Sequence, residues 1–112
     1  MPDAGDVIDG PALTAAIQRC FALSMDSSVP AHAQAELMSA AKRLRGYLLN
    51  LVSARFAART LEVRAANLAI TAANDALAAD MKKVKRVAAA LSKLAALLKK
   101  LDAALVAAAG FA

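Results

Sequence analysis

A thiol and an imidazole, Cys20 and His32, are the only cysteine and histidine in the chain's 112 residues. Together they are the one pair from which nucleophilic chemistry would start. Such a pair works when the imidazole lowers the thiol's pKa and a third group orients the imidazole. Nothing in their spacing brings them together, and no orienting residue is apparent. The sequence therefore reads Cys20 as a small core hydrophobe and His32 as a surface residue in the first turn of a helix. One cysteine also excludes an intramolecular disulfide and a thiolate metal cluster. There is no HExxH or Glu-x-x-His pair, no glycine-rich phosphate loop, and no core-facing Asp or Glu pair at helical spacing. The expectation is a chain with no catalytic, metal-binding or cofactor-binding residues and no small-molecule substrate.

The basic residues carry more information. Lys82, Lys85, Arg86, Lys93, Lys99 and Lys100 recur so that, on a helix, they share a face opposite Leu91, Leu94, Leu98 and Leu101. Lys42, Arg43 and Arg45, with Arg55, Arg59 and Arg64, extend the positive character upstream. Charge is divided along the chain: residues 1–36 hold five acids against Arg19, whereas residues 37–112 hold thirteen bases against four acids. A cationic amphipathic helix suits a solvated bundle face, an acidic protein, an anionic membrane surface or a nucleic-acid backbone. Nucleic acid is the least supported, because aromatics are 4% of the chain and no helix-turn-helix pattern occurs.

Helices must position these residues. The chain is 60% hydrophobic, with Ala supplying much of that share, and its few Pro and Gly lie almost entirely before residue 31 or at the C-terminus. A first helix is predicted over about 11–24, with Pro11 in its first turn, Asp9 or Gly10 as its cap, and Leu13, Ile17, Cys20 and Phe21 on one face. Residues 1–10 read as a flexible acidic tail, and 11–112 as a single helical domain. From Pro30 onward Leu37, Ala41, Leu44, Leu48 and Leu51 form an apolar stripe, with Gly46 as a candidate kink. Downstream, Leu49, Phe56, Val63, Ile70, Leu77, Val84, Leu91, Leu98 and Leu105 stand seven apart. The companion row contains Arg59 and Asp80 among apolar residues and strengthens at Val87, Leu94 and Leu101.

Two all-α architectures accommodate this pattern. In the first, a long antiparallel hairpin of helices about 31–73 and 75–109 turns at Asn74 and Asp75, and the short first helix completes a three-helix bundle. In the alternative, residues 31–109 form one coiled-coil helix about 118 Å long at 1.5 Å per residue, which must oligomerise to bury its seam. Both make Val84, Val87, Leu91, Leu94, Leu98, Leu101 and Leu105 an interaction seam. The expected function is a non-enzymatic protein–protein interaction module of adaptor, chaperone or inhibitor type, binding a protein partner or forming a homo-oligomer. The alternatives are a peripheral binder of anionic membrane or lipid-like surfaces and a non-specific nucleic-acid binder. With no secretory signal pattern and no long apolar run, the expected location is the cytoplasm.

Overall fold

Local chemistry sets the first boundaries. Asp9 caps α1 (Gly10–Ser24), its carboxylate accepting from the Ala12 N–H at 3.1 Å, and Pro11 occupies the first turn, where no N–H is needed. At the other end Met25 and Asp26 donate to the carbonyls of Ala22 and Leu23. In the link that follows, the Asp26 carboxylate accepts from both the backbone and the hydroxyl of Ser28, at 2.9 and 2.7 Å. The Pro30 carbonyl then accepts from Ala33 and Gln34, starting α2 (Ala31–Leu51). Two further helices are α3 (Leu61–Leu77) and α4 (Val84–Ala109).

The structure is a computed structural model that describes residues 7–51, 61–79 and 83–109, with Ala108 and Ala109 by backbone alone. Among the described residues there is no strand, and the fold is an all-α bundle. Each helix packs against two others: α1 on α2, α2 on α4, α4 on α3, and α3 on α1. Named contacts fix the directions. Glu36 and Arg43 of α2 lie by Leu91 and Leu98 of α4, and the Tyr47 hydroxyl donates to Asp102 at 3.1 Å, so α2 and α4 run parallel. In α3, Asn67 accepts from the Asp9 N–H at 2.8 Å and donates to the Val7 carbonyl, while Asn74 donates to the Ala12 carbonyl at 3.0 Å. These two amides, seven residues apart, tie α1 parallel to α3. Ala79 lies near Arg86 and Ala72 near Lys93, so α3 and α4 are antiparallel. The bundle is thus two helical hairpins, α1–α2 and α3–α4, laid on one another in the same sense.

The core between the hairpins is aliphatic and contains no buried polar or charged residue among those described. Leu13 and Ile17 of α1, Leu37 and Leu44 of α2, Val63 and Ile70 of α3, and Val87, Leu94 and Leu101 of α4 belong to one buried cluster. Ala16, Ala33, Ala41, Ala66, Ala73 and Ala90 are fully buried. Small side chains at these positions favour close approach of the helix axes.

The all-α bundle and the hairpin ending in α4 match the sequence reading, but the helix count does not. The stretch expected to be one helix over 31–73 contains α2 and α3, which run in opposite directions. The bundle therefore has four helices among the described residues, not three. The turn expected at Asn74 and Asp75 comes later: both residues are helical, and α3 ends at Leu77. A single helix over 31–109 is likewise excluded, because the longest extent of the molecule is 46 Å. The expected seam residues Arg59 and Asp80, together with Val52, Arg55, Phe56 and residues 1–6 of the tail, lie outside the described residues.

Gly46 is helical, exposed and far from any neighbour, since a Cβ added there meets nothing within 4 Å. Packing does not require glycine, so Gly46→Ala is expected to raise stability by about 0.5–1 kcal/mol through helix propensity. Urea denaturation, read as a higher midpoint at unchanged slope, checks it.

Candidate functional site

The apolar row of α4 closes inside the chain. Val87, Leu94, Leu98 and Leu101 are buried, and Leu91 and Leu105 are half-buried against the core. Val84, at the start of the helix, is 69% exposed and takes no part. Ala90, Leu97 and Ala104 are buried as deeply as the expected seam and were missed by it. They stand three residues after Val87, Leu94 and Leu101, and their own seven-residue spacing is the signal that marks them. Within the chain, α2 and α3 cover this seam.

The basic residues remain outside. Lys85, Arg86, Lys93, Lys99 and Lys100 are all exposed, while Lys82 lies outside the described residues. On α2, Lys42, Arg43 and Arg45 are exposed as well. The parallel packing of α2 on α4 gathers these side chains into one layer. That layer carries eight bases against two acids, Glu36 and Asp102, whereas α1 and α3 together carry Arg19 and Arg64 against Glu62 and Asp75. The bundle is cationic on one layer and balanced on the other.

Between α2 and α4 runs a shallow groove floored by Leu91, Leu94, Ala95 and Leu98 and rimmed by Glu36, Ser39 and Arg43. It continues past Tyr47, Lys99 and Asp102. Burial, then the hydrogen bond and charge of Asp102, push the Tyr47 phenol above its ordinary range, with Arg43 opposing. The phenol thus stays protonated and holds α2 to α4 as a donor.

No family model, curated protein or solved structure matches the chain. Its surfaces must be read from their own chemistry.

Cys20 and His32 are not brought together: Cys20 is fully buried in α1 and His32 is exposed on α2. Burial raises the Cys20 thiol from its ordinary 9.0 to about 12, so it holds its proton at neutral pH. A raised folded-state value means that the thiol's contribution to stability is fully present below 9.0 and is lost as pH climbs towards about 12. The urea midpoint is expected to fall over that window more steeply in the native chain than in Cys20→Ala. Equal slopes would remove the linkage. Among the described residues no three His, Cys, Asp or Glu side chains are grouped to hold a metal ion, and no helix is long and apolar enough to cross a membrane.

Proposed function

We propose that the chain is a non-enzymatic helical interaction protein that presents the cationic α2–α4 layer to an acidic protein partner. The observation that supports this reading is the separation of charge between the two layers, with every described base of α2 and α4 exposed. A summed field of one sign on one face raises the encounter rate with an oppositely charged partner and disfavours like-charged ones. Apolar side chains beside those charges supply what a phosphate backbone does not use. An anionic membrane surface is the competing reading, since lysines beside exposed leucines also suit lipid headgroups.

The test compares three anionic probes at low salt and at about 0.15 M salt, where the Debye length is about 8 Å. They are a glutamate-rich peptide, vesicles containing phosphatidylglycerol, and duplex DNA. Peptide binding that survives the higher salt, while vesicles and DNA are released, supports the proposal. Retention on vesicles without peptide binding moves the function to the membrane reading. Sedimentation at two protein concentrations, run alongside, reports whether copies of the chain associate.

A further inference from the structure

The outer side of the α3–α4 hairpin, facing away from α1 and α2, repeats with a period of seven. On α3, Leu61 and Leu68 stand seven apart and are 75% and 73% exposed, although both are leucines in well-formed helix. Ala65, Ala72 and Ala79 form the adjacent row. On α4, Ala89, Ala96 and Ala103 are seven apart and exposed, and so are Arg86, Lys93 and Lys100. The two helices meet here in an open groove lined by Ala72, Ala76, Ala79 and Ala89, with Arg86 and Lys93 along the α4 side and the single carboxylate of Asp75 along the α3 side, so the partner's acids belong on its α4-facing flank. The antiparallel register that sets Ala79 by Arg86 and Ala72 by Lys93 brings Ala65 and Leu68 level with Lys100 and Ala96.

From this we infer that the α3–α4 groove is the docking site for an amphipathic helix of another protein, one bearing acidic residues at seven-residue spacing beside its apolar stripe. This inference rests on the acidic-partner reading above, names the partner's form, and narrows its contact to the α4 bases of the cationic layer that border α3. The physics is that of a coiled-coil edge. Small residues on the floor admit a helix at close axial distance, Leu61 and Leu68 supply area to bury, and a row of cations at one heptad position pairs with acids at the same period. The aliphatic stems of Arg86, Lys93 and Lys100 add to the apolar wall while their charged heads stay in water. Over the length of α3 the site spans about 25 Å, which three heptads of partner helix cover.

Charge complementarity also excludes a second copy of this chain as the occupant. No two of its nine acidic residues are seven apart, and each copy carries a net charge of +5. The same spacing argument separates a helix from a lipid surface, which has no period.

The test uses the full chain and two labelled peptides of identical composition. One has three heptads with Leu at the seam and Glu every seventh residue on its flank, and the other is scrambled. Fluorescence anisotropy is expected to show the heptad peptide binding more than about tenfold tighter than the scrambled one. Leu68→Glu and Lys93→Glu are each expected to weaken it by about tenfold or more, because each sets a like charge against the peptide's acids. Both positions are exposed, so circular dichroism should be unchanged. Arg19→Glu, on α1 and outside the cationic layer, is the control and should change binding by less than about twofold at physiological salt. If the scrambled peptide binds equally well, or the groove variants weaken binding no more than Arg19→Glu does, the groove is not the site and only the general cationic reading stands. If neither peptide binds at any salt concentration, both fall.

Discussion

Leu97→Ala is expected to lower the unfolding free energy by about 2–5 kcal/mol, a large part of the roughly 5–15 kcal/mol that holds a domain of this size together. Leu97 is fully buried, so truncation removes its transfer energy and leaves a cavity between α4 and its neighbours. Val84→Ala in the same helix is expected to change stability by less than about 0.5 kcal/mol, because Val84 is mostly in water. The pair is informative because the heptad reading ranks the two the other way round, with Val84 in the seam and Leu97 outside it. Urea denaturation of both variants decides it. Equal losses would mean that α4 is turned relative to the phase described.

Ala73→Leu should be the next most damaging change, costing about 1–3 kcal/mol by overpacking. Ala73 has no exposed surface and lies on the inward face of α3 with Ala66 and Ile70. A larger side chain there must push α3 away from the core or adopt a strained rotamer. Ala88→Leu on the exposed side of α4 is the control and is expected to be nearly neutral. A destabilised Ala73 variant with a normal Ala88 variant shows that small residues at the inner positions set the helix spacing. A neutral Ala73→Leu would mean that the core has slack there.

What the sequence disclosed depended on how local the chemistry was. The start of α1 was legible because Asp9 and Pro11 act within one turn, and its end at Ser24 follows from the polar run after it. The α2 stripe of Leu37, Ala41, Leu44 and Leu51 was legible because one buried face imposes the helical period. The separation of α2 from α3 was not. The row from Leu49 through Val63 to Leu105 keeps its seven-residue count while the chain changes direction twice, so a count along the sequence suggests a continuity that space lacks. Asn74 was read as a turn residue by its type, yet its amide is used on the carbonyl of Ala12, 62 residues away, and no local rule contains that partner. For the candidate site, the bases of α4 were legible as an outer face. Their alliance with α2 was not, because it depends on the two helices running parallel.

The same-sense stacking of the hairpins also bears on how the molecule assembles. Within each hairpin the helices are neighbours in sequence, so their contacts close short loops and form early, whereas the ties between hairpins join residues 55 to 62 apart, such as Tyr47 with Asp102 and Asn74 with Ala12. Folding should then proceed as two local units that form quickly and dock afterwards, with the slower step governed by the interface between them. Amide exchange in the native state would report the same division, with each hairpin opening as a cooperative unit and the Asn67 and Asn74 ties released when the units part.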